Sequence, residues 1–167
     1  MIYFAKEKEA IVIMVKFTYT FFNTDYSYHK NAGFSLSFGN EEEEWDDVVV
    51  STMDTYKKYH DSVSYKVPAE WLERVCAFLQ EQRQLKSLSS WIYKLGNHRT
   101  EHQIALEVDG WYREINVYNF GEFGKHFHPE FEEDEKVLLE FFSRIQEFLQ
   151  EVGIYLSFTE VNYNKIN

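Results

Sequence analysis

The stretch Ile104–Tyr118, IALEVDGWYREINVY, decides the fold. Two alternating runs flank Asp109-Gly110, and Asp-Gly between alternating apolar residues marks a two-residue hairpin whose turn positions both need positive φ. The turn sets the register. Val108 then opposes Trp111, Leu106 opposes Arg113 and Ile104 opposes Ile115. One face reads Ile104, Leu106, Val108, Trp111, Arg113, Ile115, Val117, and the other Glu107, Tyr112, Glu114, Asn116, Tyr118. The first face needs a cover, and two helical patterns elsewhere in the chain supply one. Arg113 is the exception on it, and either snorkels past Trp111 or meets a buried acid.

Working outward, Pro68 opens a helix in which Trp71, Leu72, Val75, Phe78, Leu79 and Leu85 fall at helical spacing, with an end expected near Lys86. A second helix carries Val137, Leu138, Phe141, Phe142, Ile145, Phe148, Leu149 and Val152, stopped by Gly153. Before the first helix, Ile11–Phe22 alternates as one long strand, followed by strands at Phe34–Phe38, Trp45–Met53 and Ser62–Val67. Ser87–Thr100 reads either as a short helix or as a packed loop. Ile154–Val161 alternates and would add an edge strand. The order ββββ-α-ββ-α-β predicts an α+β fold, a single mostly antiparallel sheet with two helices packed on one face.

The 167 residues suit one core, so residues 1–167 are expected to form a single domain. Apolar residues make up 44% of the chain, which argues against disorder. Cys76 is the sole cysteine and lies in the apolar pattern of the first helix, so no internal disulfide exists and a reducing compartment fits. The start of the chain lacks both a signal-peptide pattern and a run of about 20 apolar residues, which predicts a cytoplasmic protein with no membrane association; Met14 is an alternative start.

The chain has 28 acids and 17 bases, a net charge of −11. Two runs account for the whole excess. Glu41, Glu42, Glu43, Glu44, Asp46 and Asp47 surround Trp45, and Glu130–Glu135 holds five more acids. Nucleic acid is an unsuitable partner for such a surface, since phosphates need clustered bases, whereas a basic protein is suitable. The second run falls where a helix begins, and acids are favoured there by the exposed N–H groups. The first joins two strands. It serves either as a charged loop protecting strand edges or as a docking surface in which acids steer a basic partner and Trp45 anchors it. Tyr26, Tyr28, Tyr56, Tyr59, Tyr112 and Tyr118 fall in loops or on the polar strand face, and tyrosine is enriched at protein interfaces.

Catalytic signatures are lacking. Cys76 sits on the buried side of its helix, Ser89-Ser90 have no nucleophile elbow, and Gly121 and Gly124 lack the context of a phosphate loop. No cofactor is expected. His98 with His102, and His126 with His128, have spacings that could ligate a metal, but Gly96-Asn97 disfavours a helix at His98 and no HExxH glutamate accompanies them. The expectation is no metal and no enzyme.

A small acidic, aromatic-rich α+β chain carrying EEEEWDD and no catalytic residues resembles bacterial immunity proteins, which neutralise a cognate toxin domain, including those of contact-dependent growth inhibition. The resemblance implies a tight one-to-one complex with a basic toxin domain, often a nuclease, held by Glu41–Asp47 with Tyr56 and Tyr59. Two alternatives stay open: a metal-assisted hydrolase using the four histidines, and a structural or regulatory homodimer pairing an exposed strand such as Ile154–Val161.

Overall fold

The computed structural model describes residues 2–6, 9–13, 15–23, 33–39, 47–54, 56, 58–93, 100–119, 131–156 and 161–163. The strands are β1 (Ile2–Lys6), β2 (Glu9–Ile13), β3 (Val15–Asn23), β4 (Gly33–Phe38), β5 (Asp47–Met53), β6 (Tyr59–Lys66), β7 (Trp91–Tyr93), β8 (Thr100–Val108), β9 (Trp111–Tyr118), β10 (Ile154–Leu156) and β11 (Val161–Tyr163). The helices are α1 (Ala69–Gln80) and α2 (Glu132–Glu151). Seven strands form one sheet in the order β6-β5-β4-β3-β8-β9-β7, and β1-β2 and β10-β11 form separate two-stranded ribbons. This is an α+β fold with the expected order of its main elements.

The hairpin stands as its sequence dictates. Val108 pairs with Trp111, Leu106 with Arg113 and Ile104 with Ile115, and Asp109 and Gly110 have φ of 41° and 84°. It also runs further back than the apolar alternation suggested, to Thr100. β3 lies beside β8 over nine residues, from Val15 opposite Val108 to Asn23 opposite Thr100.

One sheet face carries Val15, Phe17, Tyr19, Phe21, Phe34, Leu36, Phe38, Val48, Val50, Ile104, Leu106, Val108, Ile115 and Val117, all in the core. Both helices lie on it. Phe17 meets Phe141, Tyr19 meets Phe142 and Phe38 meets Trp71, with ring centroids 5.2 to 6.1 Å apart. The indole N–H of Trp71 donates to the Phe148 carbonyl at 2.6 Å, tying α1 to α2 through a buried bond. The first acids of α2, Glu132–Glu135, occupy its first turn as expected. Gly153, with φ 79°, follows the last turn and its N–H returns to the Gln150 carbonyl.

Several expectations are corrected. Ile11–Phe22 is not one strand; β2 ends at Ile13, pairs with β1, and a new strand starts at Val15. α1 stops at Gln80 rather than near Lys86, because the Gln82 side chain takes the Phe78 carbonyl at 3.0 Å and residues Arg83–Ser87 tighten into a 3-10 turn that still buries Leu85. Ser87–Thr100 contains the short strand β7, parallel to β9, which makes the sheet mixed. Ile154–Leu156 adds no edge to the main sheet and pairs instead with Val161–Tyr163.

Candidate functional site

The sheet has a second face, distal to the helices, and strand register arranges its side chains in rows. At one end Tyr59, Met53, Phe22, Glu101 and Tyr118 lie in one row, with Gly33 between Met53 and Phe22. The next row reads Ser62, Ser51, Ser35, Thr20, Gln103 and Asn116. At the opposite end stand Lys66, Asp47, Lys16, Glu107 and Tyr112. Asp47 and Met53 stand six residue steps apart on β5, or about 20 Å at strand rise.

A single-residue irregularity shapes the first row. β5 and β6 pair in step as far as Ser51 with Ser62, then the register shifts so that Met53 meets Tyr59. In an unshifted ladder His60 would oppose Met53; the extra residue turns Tyr59 to this face and frees His60, whose Nε2 lies 2.8 Å from the Asp54 carboxylate. Tyr59 with Thr20, Phe22, Met53, Glu101 and Gln103 then lines a cavity of about 130 Å³.

Beside this cavity the polar groups are tied together. Glu114 accepts from the Tyr112 hydroxyl and the Gln103 amide, each at 2.8 Å, and from the Asn116 amide at 3.4 Å. These bonds, that from Tyr112 foremost, hold the Glu114 carboxyl below its ordinary range. Desolvation raises the Tyr112 phenol, with Glu114 and Glu107 adding to the effect, and raises Tyr118, where Glu101 adds. Ser51 and Ser62 share a 2.7 Å hydrogen bond, and the Thr20 hydroxyl donates to Ser35 at 3.5 Å.

Aromatic side chains rim the face. Tyr59, Trp91 and Tyr112 are 56%, 57% and 60% exposed, and Trp91 stacks on Tyr118 at 5.8 Å with planes 7° apart. Tyr56, in the β5–β6 turn, is 83% exposed. Of the expected docking residues, Tyr56 and Tyr59 thus sit together at one end of β5. Glu41, Glu42, Glu43, Glu44, Trp45 and Asp46 lie outside the described residues, and the chain returns at Asp47, at the other end of the strand. Asp47 itself is buried: one carboxylate oxygen accepts from Ser64 at 2.5 Å, and the other has no hydrogen-bond partner among the described residues. Tyr26 and Tyr28 also lie outside the described residues.

The histidines divide. His98, His126 and His128 fall outside the described residues, while His102 is fully buried on the helix-facing side of β8, with Nδ1 2.6 Å from the Tyr19 hydroxyl. Among the described residues no three His, Cys, Asp or Glu side chains gather as a metal site. Cys76 is buried in the core, and desolvation pushes its thiol up to about 12, so it behaves as a small apolar residue. Among the described residues no helix is long and apolar enough to cross a membrane.

Arg113 is half-buried and meets a backbone carbonyl rather than a buried acid. Its guanidinium donates to the Leu88 carbonyl, and Lys86 covers the neighbouring Trp111 ring at 4.7 Å. Compared with models of known protein families and with curated proteins, the chain matches none.

Proposed function

We propose that this protein is an immunity protein that binds and inhibits a basic toxin domain, a nuclease being the class such acidic surfaces suit best. The observation that supports it most is the distal face. Glu101, Glu107 and Glu114 stand on it in adjacent strands with exposed Tyr59, Tyr112 and Trp91, and the run Glu41–Asp46 immediately precedes Asp47 in the sequence. Against these acids, Lys16 lies 3.8 Å from Glu107 and Lys66 stands across from buried Asp47. Aromatic area supplies binding energy while acids guide a cationic partner and reject anionic ones. A standard interface buries roughly 800 Å² on each partner, so one partner spans the ~20 Å between the rows and reaches from Tyr59 to the Asp47 end of β5.

Inhibition follows from position. A carboxylate-bearing face laid over a nuclease groove takes the place of phosphate, or blocks its entry from beside it. The test is capture of partners on the immobilised chain from its source cell, followed by identification and assay of what is held. A basic toxin domain that loses activity at one equivalent of this protein is the expected result. Retention of no basic protein, or of one whose activity is untouched, overturns the reading.

A further inference from the structure

We propose that β6 is the contact through which two copies of this chain pair, antiparallel about a two-fold axis at Val63. Strand pairing of this kind lies in the plane of the sheet, so it leaves both distal faces open and does not rest on the toxin reading.

A sheet strand has two sides for hydrogen bonding, and β6 uses one. It stands at the end of the seven-stranded sheet and is eight residues long, whereas β7 at the other end has three. Among the described residues nothing pairs with its outer side, and Tyr59, His60, Asp61, Ser62 and Ser64 are exposed. Asp61 turns its N–H toward β5, where the Thr52 hydroxyl accepts it at 3.3 Å. Alternation along the strand then points the N–H and C=O groups of Ser62 and Ser64 outward. Natural sheet edges are protected by proline, by charge, by bulges or by being short. From Ser62 to Tyr65 β6 has neither proline nor charge, and it keeps step with β5 throughout.

Charge selects the occupant. Residues 54–66 hold two acids and three lysines, close to neutrality in a chain of net charge −11. Such an edge does not steer a basic protein toward itself, and it does not repel its own copy. The backbone then sets the register. Outward groups bond only to outward groups, so Ser62 pairs with Ser64 of the second copy and Val63 meets its own counterpart on the axis. Val63 is half-buried at the rim of the core, and this contact completes its burial. An axis at Ser62 would instead set Val63 against Asp61, and one at Ser64 would set it against Tyr65, which is only 4% exposed and already covered. With Val63 on the axis, Asp61 faces Tyr65 of the second copy, and His60, held 2.8 Å from Asp54, faces its Lys66. No two carboxylates of the strand oppose each other.

Sedimentation of the native full-length chain from micromolar to millimolar concentration, with backbone amide exchange followed by NMR at both ends of that range, tests the pairing. The mass should double, and the Ser62 and Ser64 amides should exchange slowly in the concentrated sample and lose that protection on dilution. Mild oxidation of the Val63→Cys variant should give a disulfide-linked dimer, because Cα atoms about 4.5 Å apart in a close antiparallel pair lie within disulfide reach. Asp61→Cys, which faces Tyr65, should not cross-link, and Cys76 is buried and does not compete. A single-chain mass throughout, a dimer whose Ser62 and Ser64 amides stay unprotected, equal cross-linking of the two variants, or protection that arises only when a captured basic protein binds would each overturn the pairing. Capture of a basic toxin without self-pairing removes this inference alone, and self-pairing with a failed capture removes the toxin reading alone.

Discussion

Gly39 and Gly110 both sit at positive φ, 76° and 84°, yet a methyl group would meet different surroundings at each. At Gly110 nothing lies within 4 Å, whereas at Gly39 an added Cβ would stand 2.0 Å from the Val15 carbonyl oxygen. Gly110→Ala should therefore cost only the left-handed backbone penalty, about 1 kcal/mol. Gly39→Ala should cost clearly more, because β3 and the end of β4 must move apart. Urea midpoints of the two variants check the order, and equal losses would show that the close approach at Gly39 carries no weight. Arg113 shows how far single residues are legible. Its placement on the apolar face followed from the Asp-Gly turn alone, but its partner, the Leu88 carbonyl, comes from a segment 25 residues away whose path no local pattern announces. His102 is similar. Spacing offered it only His98 as a fellow metal ligand, and the pairing of β3 with β8 instead brings it to the Tyr19 hydroxyl.

At the scale of elements, the parts governed by local rules were legible and those governed by distant pairing were not. Asp109-Gly110 pinned a hairpin register, and helical spacing marked both helices. Three residues of parallel β7 have no period to detect, the one-residue slip opposite Ser51–Met53 leaves no trace in composition, and Ile11–Phe22 alternates without any turn residue to mark the break after Ile13. The candidate site inherits this division. Glu107, Tyr112, Glu114, Asn116 and Tyr118 were readable as one face, while the cavity lies where β8 extends back to Glu101 and Gln103 and where the slip delivers Tyr59.

The hairpin also makes a pH-dependent contribution. Hydrogen bonds from Tyr112, Gln103 and Asn116 lower the Glu114 pKa in the folded chain. The stabilisation is thus fully present above the unfolded carboxyl pKa, about 4.3, and fades as pH falls through the lower folded value. Glu114→Gln should have a flatter stability profile than the native chain across that acid window. Denaturation at pH 7 and at pH 3.5 measures it, and parallel profiles would show the network to be energetically idle.

For the molecule as a whole, charge and architecture have separate tasks. The core is assembled from aromatic and aliphatic side chains between one sheet face and two helices, and owes nothing to the net charge of −11. The acids gather instead in the two runs, one in the first turn of α2, where the helix itself favours them, and one, Glu41–Glu44 with Asp46 and Asp47, immediately before and at the start of β5, where no helix N-terminus accounts for it. That surplus, together with a sheet face that carries exposed tyrosines and tryptophan, is the basis for reading the molecule as a binder of basic protein.

The most direct test is the kinetics of association with the captured toxin domain at low and high salt, for the native chain, for the triple variant Glu41→Lys, Glu43→Lys, Asp46→Lys, and for Trp45→Ala. Electrostatic steering predicts that the triple variant associates at least about tenfold more slowly at low salt and loses most of its salt dependence. Trp45→Ala should instead raise the dissociation rate, by about thirtyfold for a hot spot worth ~2 kcal/mol. A triple variant whose affinity, association rate and salt dependence all equal those of the native chain would contradict the account.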